Sequence, residues 1–413
     1  MDKTKWLIKN FILPSSYERV LIRFLRKIRH TYILERLYCK LARKFCKVRA
    51  NKIVFVNPHM MQYFDSTKYI LEELLSMESN KLDIVWATSK ITDISYMPKV
   101  IRKINYNSFR FLYELFTAKA LVVNSHIFLP LKKGFIKPKG TVYFQTFHGS
   151  MGIKKLDADA LEVFDKLGWL KWQKRSCAMF DYLFTDSELE KQIFKTAFWG
   201  YGEVLKLGKA RDSIFYKDPK PFIDKVKSFY KLKSKDRICL YAPTWRPDKR
   251  TYCYNIDINL LKDSLHKRFG GNWKVLIRAH SHMQKGVFET LYNQDEVIDA
   301  SLYPDMQELQ VASDVLISDY SSSLPEFAIL KKPSFIYATD LEKYENGFYY
   351  DLDVLPCKVA RNNYELMTNI LGFDEVAFKQ KAQEFLEWAG HSDDENSPKR
   401  IASFILEKMG ARL

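Results

Sequence analysis

The chain has 413 residues, 47% of them hydrophobic and 15% aromatic, enough for packed cores in two domains plus extensions and against bulk disorder. Its net charge of +17 is lopsided: residues 1–52 hold fifteen Lys or Arg against Asp2, Glu18 and Glu35, a balance of +12, which leaves +5 for the rest. A nearly neutral body with a basic arm argues against a body built to bind nucleic acid, and no specific nucleic-acid partner is expected.

The longest uncharged apolar stretch, Ala120 to Leu131, contains Asn124, His126 and Pro130 and is too short and too polar to span a bilayer. The N-terminus reads as no signal peptide, because lysines and prolines interrupt each apolar run. The six cysteines show no CxxC spacing or His pairing, as expected of ordinary reduced thiols; no metal ligands are assigned.

Residues 1–50 read as basic amphipathic helices broken at Pro14. Val20, Leu21, Phe24, Leu25, Ile28, Tyr32, Leu37 and Leu41 recur at helical spacing, with Arg19, Arg23, Arg26, Lys27 and Arg43 between them. Such a segment can lie in the headgroup plane of an anionic membrane, each cation contributing about 1 kcal/mol. It can equally pack on the protein's own core with its basic face in water.

From Asn51 the pattern becomes short β-branched and aromatic runs alternating with helical stretches. Ile53–Val56, Asp83–Trp86, Ala120–Val123, Val142–Phe144 and Tyr182–Phe184 read as buried parallel strands. A second series follows Gly208: Ile238–Tyr241, Val275–Ile277, Val315–Ile317 and Phe335–Tyr337. The repetition predicts two doubly wound α/β domains, residues 51–207 and 208–372, followed by C-terminal helices over 373–413 that pack back across them.

Ligands of such sheets bind beyond the carboxyl ends of the strands, so the polar residues that end each strand are the informative ones. One strand ends Gln145-Thr146-Phe147-His148-Gly149-Ser150, with Lys154 and Lys155 behind it. His148 at a Gly-bounded turn can serve as a base or a phosphate ligand, Gly149 permits close backbone approach, and Lys154 supplies positive charge. Another ends Arg278-Ala279-His280-Ser281-His282, where Arg278 and His280 share a parity and suit a phosphoryl oxygen. A third runs into Ser318-Asp319-Tyr320-Ser321-Ser322-Ser323 and then Leu324-Pro325-Glu326. Ser323 and Glu326 have capping-box spacing, and a serine cluster opening a helix makes an anion site. Thr244 and Arg246 end a fourth strand, Arg211 sits at the presumed hinge, and Gly347–Asp351 reads as aromatic core.

In this order, these segments resemble the CDP-glycerol glycerophosphotransferase family, the enzymes that prime and polymerise teichoic acids. The likeness rests on His148-Gly149 with Lys154 and Lys155, Ala242-Pro243-Thr244-Trp245-Arg246, Arg278 with His280, Asp319-Tyr320-Ser321-Ser322, and Gly347-Phe348-Tyr349. It departs from the family at Ser281, where Pro is usual, and at Phe147 and Ser150, which replace Trp and Thr. The resemblance implies a GT-B-like pair of Rossmann-like domains, the nucleotide donor held mainly by the second. It also implies that His148 and His280 matter to catalysis, and that Arg278, Asp319, Ser321, Ser322, Ser323, Thr244, Arg246, Arg211, Gly149 and Lys154 serve the donor or its phosphates.

The expected reaction moves a glycerol-phosphate, or a related polyol-phosphate, from CDP-glycerol or another CDP-polyol to a hydroxyl of a lipid-linked or polymer acceptor in teichoic acid or capsule assembly, releasing CMP. No cofactor is assigned, and a divalent cation such as Mg2+ remains compatible with the pyrophosphate. The expected place is cytoplasmic, peripheral on the inner face of the cell membrane and against its anionic surface. Two rivals are a GT-B nucleotide-sugar glycosyltransferase and a non-catalytic basic adaptor for membrane or nucleic acid.

Overall fold

The computed structural model describes residues 32–58, 62–77, 82–90, 92–246, 251–279, 292 and 296–410. The reading of residues 1–31, and of His280 with Ser281 and His282, therefore lies outside the described residues.

Seven parallel strands form the first sheet: β1 (Arg49–Val56), β2 (Asp83–Thr88), β3 (Arg102–Asn105), β4 (Ala118–Val123), β5 (Val142–Gln145), β6 (Tyr182–Phe184) and β7 (Glu203–Leu205). Their order is β3-β2-β1-β4-β5-β6-β7. Six more form the second: β8 (Asp236–Tyr241), β9 (Asn272–Ile277), β10 (Val297–Asp299), β11 (Val315–Ser318), β12 (Ser334–Tyr337) and β13 (Val359–Ala360), in the order β10-β9-β8-β11-β12-β13. Each sheet begins in its middle and reverses direction there, which opens a crevice at the carboxyl edge.

Both faces of the first sheet are buried, and the period-2 alternation of its strands divides them. Val54 and Val56 face a core shared with Phe111, Leu115, Phe194 and Phe198. Ile53 and Phe55 face the opposite one, built with Ile70 and Leu74 and closed by Ile401, Ile405 and Leu406. Those last three come from the helix Ser397–Met409, so the C-terminal helix returns to cover the first sheet. The preceding helix, Glu375–Trp388, instead puts Phe378 and Phe385 into the second core. Ala210 and Ile214 still belong to the first core, so the chain passes to the second sheet after that turn.

The loop after His148 does the reverse. Met151 and Ile153 are fully buried in the second core although they follow β5 of the first sheet. The segment Gly347–Asp351, expected as simple core, meets that loop and clasps it. Lys155 N donates to Gly347 O at 3.1 Å and Tyr349 N to Ile153 O at 2.8 Å, while the Tyr350 hydroxyl donates to Met151 O at 2.7 Å.

Helix Ile33–Phe45 buries Cys39 and Ala42 but leaves Leu34, Leu37, Leu41 and Phe45 exposed. Among the described residues no helix is long and apolar enough to cross a membrane.

One buried charge cluster pins the first sheet. Lys52 of β1 is fully buried and donates to Glu114 Oε2 at 2.6 Å and to Thr117 Oγ1 at 2.8 Å. Arg102 and Arg110 donate to the other Glu114 oxygen at 3.0 and 2.7 Å. Burial alone would raise the Glu114 carboxyl, but hydrogen bonds from Arg102 and Lys52 outweigh it and bring it from 4.5 to about 2. Glu114→Gln strands the Lys52 ammonium and should lower unfolding free energy at neutral pH by about 3 kcal/mol, read from urea melts. Because the folded carboxyl is depressed, its contribution is complete above its unfolded value near 4.5 and fades as pH falls toward about 2. The gap between wild type and variant should close over that interval.

Candidate active site

β4 and β5 are neighbours, and their carboxyl ends deliver Asn124 and His148 side by side. Phe147 turns the chain with φ of 55°, a conformation a bulky residue holds only when its surroundings fix it. Its backbone N–H donates to Gln145 Oε1 at 3.0 Å, and its ring lies 5.5 Å from both Phe194 and Phe198. That anchor aims the next side chain. His148 Nδ1 is 3.1 Å from the Asn124 carbonyl oxygen. The carbonyl can only accept, so the hydrogen bond assigns the proton to Nδ1 and leaves the lone pair of a neutral ring on Nε2.

The main chain of His148 is also held. Arg211 Nη1 donates to its carbonyl at 2.8 Å and lies 3.6 Å from Asp65 Oδ1, while Nη2 donates to Glu326 Oε2 at 2.6 Å. Glu326 Oε1 accepts from Ser150 N at 3.0 Å. Burial would lower the Arg211 guanidinium, but Glu326, Asp65 and Asp212 outweigh it and hold it above its ordinary value. Glu326 comes from the second half of the chain, so this network ties the two halves together at the reacting edge.

This placement corrects the capping-box reading. The helix begins at Ser323 with Ser322 as its cap residue, and no side chain caps it. Ser323 N instead donates to Ser321 Oγ at 3.2 Å. Glu326 serves the buried guanidinium, with the Ser322 side chain as a further hydrogen-bond partner.

Opposite stands the second-half wall. Arg278 follows β9; its Nη1 donates to Tyr303 O at 2.6 Å and to Ala300 O at 3.2 Å. Burial pulls the Arg278 guanidinium below its ordinary value while Asp305 works against that, and the Lys154 ammonium is likewise lowered by burial against the pull of Asp319. Asp319 and Arg246 are spent on the frame. Asp319 Oδ1 accepts from Thr244 N at 2.8 Å and Tyr320 N at 2.6 Å. Arg246 donates to both Asp340 oxygens at 2.7 and 2.8 Å, to Asp319 Oδ2 at 2.8 Å and to Thr244 O at 2.7 Å. It is 3% exposed, and its guanidinium sits 4.9 Å from the Tyr320 ring centre.

Between the walls is a cavity of about 220 Å³. His148, Gly149, Lys154, Arg211, Thr244, Arg278, Ser321, Ser322 and Ser323 line it, whereas Asp319 and Arg246 stand behind its wall. Asp65, Asn124, Glu190 and Glu326 also line it and were missed from the sequence. Asn124 ends a strand, which is the very criterion that singled out His148. Burial raises the Glu190 carboxyl to about 7 in spite of Lys209, 2.8 Å away.

The fold also pairs a cysteine with a histidine that sequence spacing kept apart. His126 Nε2 lies 2.8 Å from Asp157 Oδ2, and Cys177 Sγ lies 3.7 Å from the same oxygen. His126 Nδ1 is buried with no hydrogen-bond partner, so Asp157 satisfies this trio only in part.

Two doubly wound parallel sheets facing each other across a cavity lined by His, Arg, Lys and Ser define a GT-B-like transferase. A family model described as CDP-Glycerol:Poly(glycerophosphate) glycerophosphotransferase matches residues 38–407. The chain belongs to that family, as the sequence motifs led us to expect.

It is 29% identical to a teichoic acid poly(glycerol phosphate) polymerase of Staphylococcus epidermidis, over 92% of this chain and 56% of that protein. It is 28% identical to a teichoic acid glycerol-phosphate transferase of Staphylococcus aureus, over 79% of this chain and 85% of the relative. The chain thus spans little more than half the length of the first of these relatives. Among solved structures, a variant of the wall teichoic acid polymerase TagF soaked with CDPG superposes with a TM-score of 0.78 at 25% identity, covering 96% of this chain and 99% of the other.

A tight passage between the halves gives a test. A Cβ placed on Gly149 would lie 2.8 Å from Ser322 Oγ and 3.2 Å from its Cβ. Gly149→Ala should therefore cut turnover at least tenfold by holding the walls apart, since small misplacements are costly in a preorganised site. In a Ser322→Ala background the added cost of Gly149→Ala should shrink, because the 2.8 Å contact is removed while the 3.2 Å contact to the Cβ of residue 322 remains, as read from kcat in steady-state assays.

Proposed function

We propose that this chain transfers a glycerol-phosphate unit from CDP-glycerol to a hydroxyl of a lipid-linked or polymeric acceptor in teichoic acid assembly, releasing CMP. The observation that carries the proposal is His148, whose Nδ1–H is tied to the Asn124 carbonyl, so that Nε2 is the ring nitrogen able to accept a proton, on the cavity that Arg278 also lines.

In this reading the first sheet takes the acceptor and the second takes the donor. The acceptor oxygen attacks the β-phosphorus of the donor. A bond forms from that oxygen to the β-phosphorus, and the bond from the β-phosphorus to the bridging oxygen breaks, so CMP departs with the electron pair. His148 Nε2 takes the hydroxyl proton. Arg278, Lys154 and the hydroxyls of Ser321 and Ser322 face the phosphates, and His280 is assigned to the leaving CMP by its place in the Arg-x-His motif. Arg278 and Lys154 are cations lowered by burial, so an incoming pyrophosphate relieves their desolvation as it binds. Phosphoryl transfer needs this sort of positioning and charge stabilisation more than covalent help. Thr244 and Arg211 shape the two walls, with Asp319 and Arg246 fixing the Thr244 loop from behind.

His148→Ala should lower CMP release from CDP-glycerol at least a hundredfold with acceptor present, while calorimetry finds donor affinity retained. Full turnover in that variant would sink the assignment. A panel of CDP-polyols identifies the donor, and EDTA in the same assay reports whether a divalent cation such as Mg2+ takes part.

We also place the chain on the inner face of the cell membrane. Leu34, Leu37, Leu41 and Phe45 project from one helix with exposures of 65, 55, 51 and 68%, flanked by Lys40, Arg43 and Lys44. An apolar stripe beside cations suits an anionic headgroup layer. Replacing those four side chains by Ser should weaken sedimentation with anionic vesicles several-fold and leave CMP release toward a soluble acceptor intact.

A further inference from the structure

Asn124 is 1% exposed and lines the cavity. Its Nδ2 donates to Asp65 Oδ2 at 2.8 Å. A carboxylate only accepts, so Asp65 dictates which way the amide faces: nitrogen toward Asp65, oxygen away. Asp65 is itself held firmly, its Oδ1 accepting from Ser66 N at 2.6 Å and lying 3.6 Å from Arg211 Nη1. It keeps φ at 68°, a strained value for a residue with a side chain.

The arrangement leaves Asn124 Oδ1 buried with no hydrogen-bond partner. A buried carbonyl in that state is a standing cost, and in a native protein it calls for an explanation. The main-chain carbonyl of the same residue accepts from His148 Nδ1 at 3.1 Å. Asn124 therefore brings an unused acceptor and the fixed catalytic base to one place.

We propose that Asn124 Oδ1 is the subsite for a second hydroxyl on the acceptor, one carbon from the attacking hydroxyl, so that the enzyme selects acceptors ending in a vicinal diol. This rests on the transfer reading above. The attacking hydroxyl has a single proton, and that proton goes to His148 Nε2. The orphaned carbonyl is then open to a different O–H, and the hydroxyl next to the attacking one on a polyol terminus supplies it. Asp65 is a positioning residue here: it orients the amide and does not touch the substrate.

The test compares two synthetic glycerol-phosphate acceptors, one ending in a 1,2-diol and one lacking the second hydroxyl. Wild type should prefer the diol about tenfold or more in kcat/KM, because a site built to bond a hydroxyl rejects the analogue without it. Asn124→Ala should raise the diol acceptor's KM about tenfold, leave the CDP-glycerol KM unchanged and erase the preference. Asp65→Asn keeps the size but frees the amide to turn, and should weaken the preference in the same direction. Equal use of both acceptors by wild type overturns the proposal without any variant. So does a diol preference that survives in an Asn124→Ala protein with wild-type melting and donor affinity. Wild type that releases no CMP from any CDP-polyol defeats the transfer reading, and this inference with it.

Discussion

Arg211 carries a buried positive charge shared by three parts of the chain. Asp65 comes from the loop that opens the first helix of the first sheet, the His148 carbonyl from the end of β5, and Glu326 from the helix after β11. A guanidinium suits such a junction because its fork delivers several donors in fixed directions. Taking any one carboxylate away leaves charge stranded where water cannot reach it, so the partners are interdependent. The position of His148, the facing of Asn124 and the distance between the two halves all follow from how that charge is satisfied.

The second half uses the same device for a different end. Arg246 is surrounded by Asp319, Asp340 and the Thr244 carbonyl, with Tyr320 and Tyr344 against its face. This cluster is nearly closed to ligand and fixes Thr244 and Arg246 at the end of β8. Of the cations that line the cavity, Arg211 is held by carboxylates, whereas burial lowers Arg278 and Lys154. Arg246 behind the wall and Arg211 on it serve the frame, and Arg278 and Lys154 are the cations left under-neutralised.

The central strands were legible because they are buried on both faces and so read as continuous apolar runs. The four that escaped, β3, β7, β10 and β13, are the outer strands of the two sheets. Arg102-Lys103-Ile104-Asn105 and Glu203-Val204-Leu205 carry charge because an edge is half in water. At the site, His148, Arg278 and the serine run were visible as polar residues ending apolar strands. Asn124 met the same criterion, but within an apolar run it counted only against a membrane span. Asp65 and the cross-half role of Glu326 were not visible, since their meaning lies in partners 59 to 176 positions away along the chain. Arg246 was legible as a motif member, but its burial under Asp340 could not be read from neighbours in sequence.

The loop carrying Met151 and Ile153 limits how the two halves can move. Both side chains are fully buried in the core of the half to which their strand does not belong. Swinging the halves apart as a simple clamshell would draw two apolar side chains into water, at about 1.5–3 kcal/mol each. Relative motion is cheaper if it pivots about that insertion, with the loop acting as an axle. Any relative motion that keeps both side chains buried turns about that loop, so the halves stay joined at Met151 and at Ile153, beside the cavity that Ile153 lines.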